Sequence, residues 1–139
     1  MTCRNLRIKR VYEPPETADG VRVLVDRLWP RGLSRERAKI DLWLKEIAPS
    51  DALRRRFHRD PSAWGHFKTA YFDELEQPPA QSALHALLDR LTRGPVTLLF
   101  AARDETHNNA VALREWLEDR VGLNVRRPSP LRPQQEFGR

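Results

Sequence analysis

The chain is poor in the residues that thiol and metal sites require. Its 139 residues include one cysteine and four histidines. The single Cys3 cannot form an internal disulfide, and the scattered histidines lack the spacing of metal ligands. Cys3 is also far in sequence from any candidate base, so nothing local supports thiol catalysis.

Three common catalytic motifs are missing as well. The sequence contains no Walker-type phosphate loop, no Gly-x-Gly-x-x-Gly turn and no Gly-x-Ser-x-Gly nucleophile elbow. These absences remove the chemistries that depend on those loops, and we predict no cofactor and no metal.

Long apolar runs are absent too. None approaches the roughly 18 residues that a membrane helix needs. No hydrophobic segment of signal-peptide length follows the basic residues near the N-terminus. With 40% hydrophobic and 32% charged residues, the composition is ordinary for a soluble globular protein. We therefore expect a cytoplasmic protein with no membrane partner.

The net charge of +6 is unevenly distributed. Residues 124–139 hold four arginines and one glutamate, so this segment carries +3, half of the excess. We predict one α/β domain over residues 1–123 and a disordered Pro/Arg-rich tail over residues 124–139. The mild excess on the domain is usual for a solvated surface, so nucleic acid is an alternative partner and not the first expectation.

Hydrophobic patterning predicts the secondary structure of the domain. The predicted strands are Leu6–Tyr12, Val21–Val25 and Val96–Phe100, and Lys39–Ile47 is read as extended although it also fits a helical face. The predicted helices are one turn capped by Ser34, Asp51–Phe57, a helix opened by Asp60, a leucine-rich helix closed by Gly94, and a last helix from about His107 to Leu117 or Arg120. Helices that separate apolar strands indicate a small Rossmann-like α/β domain with a mostly parallel sheet and helices on its faces.

Two predicted strands end in dense polar segments. Val21–Val25 is followed by residues 26–32, Asp-Arg-Leu-Trp-Pro-Arg-Gly, and Val96–Phe100 is followed, after two alanines, by residues 103–109, Arg-Asp-Glu-Thr-His-Asn-Asn. Because parallel strands bring their carboxyl ends to one edge of a sheet, we expect the two segments to form one site. The second segment also opens a helix, whose free amides favour an anion.

These residue types suit a negatively charged ligand, such as a nucleotide or a phosphorylated metabolite. In an enzyme, Asp26 would be a general base or would orient a basic group, and His107 would be an acid or base. The expected substrate-binding residues are Arg27, Arg31 and Arg103, which hold the anion, Trp29, which stacks on or walls the ligand, and Asn108, which fixes it by hydrogen bonds.

Two other interpretations remain open. The chain is alternatively a non-catalytic module for nucleic acid or a regulatory partner, as the basic tail and the run Arg54-Arg55-Arg56 suggest. In a purely structural interpretation, Asp26 pairs with a nearby arginine, Trp29 plugs the sheet edge, and Asp104 or Thr106 caps the last helix. The oligomeric state does not follow from the sequence.

Three strings of residues resemble a known family. They are Val25–Gly32, with its Asp-Arg-Leu-Trp-Pro-Arg-Gly motif, Lys45–Ser50, and Leu98–Val111. Together they resemble the YeaO-like proteins of the domain-of-unknown-function 488 family, and the likeness covers Leu6 to about Arg120. The wider family shows an Asp-Val-Arg pattern after one strand and Cys-His-Arg after another. This chain has Asp26-Arg27 in the first place and His107-Asn108-Asn109 in the second, so a cysteine-based role does not carry over.

The resemblance implies a Rossmann-like α/β fold and a small cytoplasmic bacterial protein. It implies no assigned activity, as the family's name records. It supports treating the two polar segments as one site, because these segments are among those by which the family is recognised.

Overall fold

The computed structural model describes residues 6–120. The strands in this range are β1 (Leu6–Arg10), β2 (Val21–Leu24), β3 (Leu42–Trp43) and β4 (Val96–Phe100), and the helices are α1 (Arg35–Ala38), α2 (Asp51–Arg59), α3 (Trp64–Leu75), α4 (Pro78–Arg93) and α5 (Asn109–Arg120). Short 3-10 turns occupy Thr17–Asp19 and Lys45–Ile47. The predicted tail and the domain boundary before it lie outside the described residues. Over residues 6–120, no helix combines the length and the apolar character needed to cross a bilayer.

The four strands form one parallel sheet in the order β1-β4-β2-β3. The two central strands, β2 and β4, are those with the strongest apolar runs in the sequence, and they pair in register from Val21 with Val96 to Leu24 with Leu99. Strands buried on both sides need apolar side chains on both faces, which explains these runs. The predicted α/β class with a parallel sheet is confirmed.

The two faces of the sheet are covered differently. On β4, the side chains of Val96, Leu98 and Phe100 enter a large core, whereas Leu99 points to a smaller one on the other side. Helices α2 to α5 supply the large core. The small core is completed by residues before and after α1, namely Trp29, Leu33, Ile40 and Trp43. The connection from β2 to β3 therefore covers the face of the sheet opposite to helices α2 to α5.

Several predicted boundaries differ from the structure: β1 ends at Arg10 and not at Tyr12, and α2 runs to Arg59 and not to Phe57. The helix expected at Asp60 begins at Trp64, because residues 60–63 form a turn closed by the Ala63 N–H on the Asp60 carbonyl. The two prolines after α3 form the first turn of α4, where a missing amide costs no hydrogen bond. The extended segment predicted over Lys39–Ile47 is β3 followed by a 3-10 turn.

Below the small core, the amino end of the sheet carries a buried ion cluster. Asp19 is 1% exposed and Arg22 is 3% exposed. The Asp19 carboxylate accepts from Arg22 Nη1 at 2.6 Å and from Lys9 Nζ at 3.0 Å. Arg22 also donates to the Ala38 carbonyl, which joins the end of α1 to β2. Burial works to raise the pKa of Asp19, but its hydrogen bonds outweigh that effect and hold the pKa below its usual value.

The conformation of Gly20 brings Asp19 under β4. Gly20 has a φ of +67°, and a Cβ atom there would collide with the Pro95 carbonyl oxygen. The same carbonyl accepts from Val21 N at 3.0 Å, and Thr97 Oγ1 donates to the Asp19 carbonyl at 2.7 Å. Only glycine, which has no Cβ atom, allows these two segments of the chain to approach so closely.

We predict that Asp19→Asn lowers the free energy of unfolding by about 3–5 kcal/mol, because it leaves Arg22 buried without a counterion. Since the pKa of Asp19 is lowered by folding, its contribution is present at neutral pH and is lost as the pH falls below about 4. Urea unfolding at several pH values measures both effects. Asp89→Asn is the matched control, because its pair with Arg93 is exposed and contributes at most about 1 kcal/mol. Equal losses in the two variants would contradict the prediction.

Candidate functional site at the carboxyl edge of the sheet

Asp26 joins the two polar segments at the carboxyl edge. Its Oδ2 accepts from the Ala101 N–H at 2.9 Å, and its Oδ1 accepts from Asn109 Nδ2 at 3.0 Å. Asn109 Nδ2 also donates to the Val25 carbonyl at 2.9 Å. One carboxylate thus connects the ends of β2 and β4 with the first residue of α5. The expectation that the two segments meet is correct, and Asn109, which sequence reasoning missed, is a partner of Asp26.

Burial raises the pKa of the Asp26 carboxyl above its usual value. The hydrogen bonds from Asn109 and Ala101 and the positive charge of Arg54 on α2 oppose this shift. Hydrogen bonds occupy both carboxylate oxygens, and the main-chain carbonyl of Asp26 accepts from Trp43 Nε1 at 2.7 Å. These contacts hold Asp26 on three sides.

Arg27 holds the chain segment that follows β3. Its guanidinium donates through Nε to the Pro49 carbonyl and through Nη2 to the Ala48 carbonyl, both at 3.1 Å. Two of the five N–H groups of Arg27 are therefore bound to main-chain oxygens.

Two side chains of α3 hold the same segment from the other side. Tyr71 donates to the Ile47 carbonyl at 2.6 Å, and Glu74 accepts from both the N–H and the hydroxyl of Ser50 at 2.7 Å. Ser50 in turn caps α2 by accepting from Leu53 N, as the sequence predicted. Complete burial raises the pKa of Tyr71, and the charges of Asp26 and Glu74 raise it further.

Trp29 belongs to the small core. Its Nε1 donates to the Leu33 carbonyl at 2.7 Å, and its ring meets Trp43 edge-on at a centroid distance of 5.3 Å. Arg35 lies over the Trp29 ring. The ring therefore packs the loop onto one face of the sheet.

Asn108 is the cap of α5, so this helix begins at Asn109 and not at His107. Asn108 is buried, its Oδ1 accepts from Val111 N at 3.0 Å, and its Nδ2 donates to the Asp104 carbonyl at 2.9 Å. Asp104 was one of the residues expected to cap the helix. It instead closes the preceding turn by accepting from the N–H groups of Thr106 and His107, which hold its pKa below the usual range.

His107 lies on the outside of that turn. Its Nδ1 is 2.8 Å from Thr106 Oγ1 and 3.4 Å from Asp104 Oδ2, and its ring stands edge-on to Trp64 at 5.1 Å. Within residues 6–120, no hydrogen bond or ion pair joins His107 to Asp26. The two predicted catalytic residues therefore have separate surroundings.

Arg31 and Arg103 are exposed, and neither guanidinium has a hydrogen bond or an ion pair within the described range. Two residues that were not predicted as site residues, Arg10 on β1 and Tyr12 just after it, link the segments that carry Arg31 and Arg103. Arg10 donates to the carbonyls of Ala101 and Ala102, next to Arg103, and lies 4.9 Å from the Tyr12 ring centroid. Tyr12, 40% exposed, donates to the Arg31 carbonyl at 3.0 Å. We call Arg10, Tyr12, Arg31 and Arg103 the carboxyl-edge surface. The signal was available in the sequence, because Arg10 and Tyr12 end the predicted strand Leu6–Tyr12 and parallel strands bring their carboxyl ends to one edge.

Within the described part of the chain, no three His, Cys, Asp or Glu side chains are grouped so that they would hold a metal ion. The charged groups at the edge are arginines together with the exposed carboxylates of Asp104 and Glu105, and Asp26 is engaged by hydrogen-bond donors. The geometry is that of a structural junction beside an exposed basic surface.

The model of one protein family matches residues 5–131, and its description is "Inactive DUF488-N3 subclade". The chain belongs to this family. It is 42% identical to the uncharacterized protein YeaO of Escherichia coli K12 over 113 residues, which cover 81% of this chain and 96% of that protein. It is 36% identical to the uncharacterized protein Rv3073c of Mycobacterium tuberculosis H37Rv over 115 residues, 83% of this chain and 95% of that protein. No solved structure matches the chain.

The family resemblance noted in the sequence is confirmed, and the structure shows what its three strings have in common. Asp26 links the first string to the third through Ala101 and Asn109. Arg27 links the first string to the second through the carbonyls of residues 48 and 49. The three strings that carry the resemblance therefore meet in one network of hydrogen bonds.

We predict that Asp26→Asn destabilises the protein most at acid pH. The amide sets its NH2 group against one of the two donors, whereas the carboxylate and, through its hydroxyl oxygen, the carboxylic acid can still accept there; the unsatisfied donor costs about 1–3 kcal/mol. Because folding raises the pKa of Asp26, the wild-type protein loses stability as the pH rises from about 4 through that raised pKa, whereas the variant has no such loss. The difference in unfolding free energy between the two proteins should shrink as the pH rises. Urea unfolding of both from pH 4 to pH 8 tests this, and a difference that grows with pH would refute it.

Proposed function

We propose that the protein is a non-catalytic module that binds a phosphate-bearing ligand of the nucleotide class at its carboxyl-edge surface. The observation that carries the proposal is that the exposed arginines Arg31 and Arg103 adjoin one pair of residues through the main chain. Tyr12 donates to the Arg31 carbonyl, and Arg10 donates to the Ala102 carbonyl, one residue before Arg103. Free guanidinium groups bind phosphate oxygens through charge-assisted hydrogen bonds.

The aromatic ring favours a nucleotide over a bare phosphate. Tyr12 is half-exposed, and its ring is in contact with the Arg10 guanidinium on one side. Aromatic and guanidinium planes are the surfaces on which bases stack, and such stacking contributes about 1–3 kcal/mol per base.

The surroundings of the two predicted catalytic residues support binding without catalysis. The Asp26 oxygens accept from the main chain of β4 and from Asn109, and His107 contacts Thr106, Asp104 and Trp64. A general acid and base must both reach one substrate, and this pair has no common partner. The description of the family as inactive agrees with this interpretation.

The test is a titration with adenosine triphosphate, followed by the melting temperature or by calorimetry. We expect stabilisation of the wild-type protein, about 2.7 kcal/mol at 100 times the dissociation constant. The double variant Arg31→Gln/Arg103→Gln should bind at least about tenfold more weakly, because a hydrogen bond to a charged group contributes about 1.5–3 kcal/mol. His107→Ala should bind as the wild type does.

Arg93→Gln is the matched control, because Arg93 ends α4 just before β4 begins and so lies at the opposite edge of the sheet. Equal binding by the double variant and the wild type, or conversion of the nucleotide that His107→Ala abolishes, would overturn the proposal. A single-stranded oligonucleotide that binds where the nucleotide does not, with affinity falling steeply between 50 and 200 mM salt, would identify nucleic acid as the ligand instead.

A further inference from the structure

A cleft of about 250 Å³ opens between the Lys45–Ile47 turn, the end of α3 and the start of α4. Its apolar lining includes exposed Pro79 and the buried residues Ile47, Leu75 and Ala80. It shares no residue with the carboxyl-edge surface, so whatever occupies it is independent of the proposed nucleotide site.

Opposite charges line this cleft without pairing. Arg27 and Glu74 both contribute to its wall, yet each is bound to the residue 48–50 segment and no ion pair joins the two. Arg27 uses two of its five N–H groups on the carbonyls, and the other three have no hydrogen bond within residues 6–120. Glu46 adds an exposed carboxylate that has no hydrogen bond or ion pair within residues 6–120.

This charge arrangement excludes ligands of a single sign. A simple anion attracted by Arg27 would face the Glu46 and Glu74 carboxylates, and a simple cation attracted by those carboxylates would face the guanidinium. A ligand that carries both charges satisfies both walls with charge-assisted hydrogen bonds. The volume is below the roughly 300–1,000 Å³ of pockets for drug-sized ligands, so the ligand is small.

We propose that the cleft binds a small zwitterion of the α-amino-acid type. The ammonium group lies toward Glu46 and Glu74, the carboxylate binds the free N–H groups of Arg27, and the side chain lies against Pro79, the exposed apolar residue of the lining.

The experiment is a calorimetric titration of the full chain with each of the twenty common L-amino acids. We expect at least one to bind, and its two fragments, the amine without the carboxylate and the acid without the amine, to bind at least tenfold more weakly. Glu46→Gln should weaken the binding about tenfold without changing the melting temperature of the free protein, because this side chain has no partner to lose. Glu36→Gln, an exposed glutamate on α1, is the matched control and should bind normally.

The Arg31→Gln/Arg103→Gln variant should bind the amino acid as the wild type does, which separates this site from the carboxyl-edge surface. The proposal is overturned if no amino acid binds, if a fragment binds as tightly as the whole molecule, or if Glu46→Gln leaves the affinity unchanged.

Discussion

The Asp26 carboxylate accepts hydrogen bonds from the end of β4 and from the first residue of α5, and this contact determines the layout of the carboxyl edge. The pairing of two parallel strands does not by itself determine where the segments that follow them go. Here one side chain aligns the end of β2, the Ala101 N–H and the Asn109 amide. Burial of the Asp26 carboxylate raises its pKa because the charged form loses its water. The hydrogen bonds from two fixed donors, the Ala101 N–H and the Asn109 amide, oppose that desolvation cost.

Arg27, the next residue, extends this junction to the other side of the sheet edge. It donates to two carbonyls of the segment before α2, which Tyr71 and Glu74 of α3 hold from below. Adjacent residues of one short string thus bind the turn before α5 and the turn before α2. The three strings that carry the family resemblance therefore depend on one another for their positions. The exposed arginines and the neighbouring cleft remain available for ligands.

Much of the scaffold follows from the sequence. The runs Val21–Val25 and Val96–Phe100 are apolar at every position except Arg22 and Thr97, which is close to the pattern of central parallel strands, and these are the two central strands. Ser34 and Ser50 precede short amphipathic segments and cap them as expected. The meeting of the two polar segments follows from the parallel pairing alone.

The details that decide function did not follow. Whether Asn108 or Asn109 faces Asp26 depends on where α5 begins, since one residue rotates a helix by about 100°. An arginine at the end of a strand is a typical anion-binding residue, which is what the sequence predicts for Arg27. Its main-chain partners depend on the tertiary position of residues 48 and 49, which the sequence does not show. Arg22 lies in an apolar strand and gives no sign that Asp19 will neutralise it in the interior.

The central claim is that Asp26 is a structural junction between the two strand ends and α5. A double-mutant cycle with Asp26→Asn and Asn109→Ala, read by urea unfolding at pH 7, tests it most directly. The account predicts a coupling energy of about 1–3 kcal/mol, in the range found for residues that share one hydrogen-bond network. Additive effects of the two substitutions, within about 0.3–0.5 kcal/mol, would contradict it.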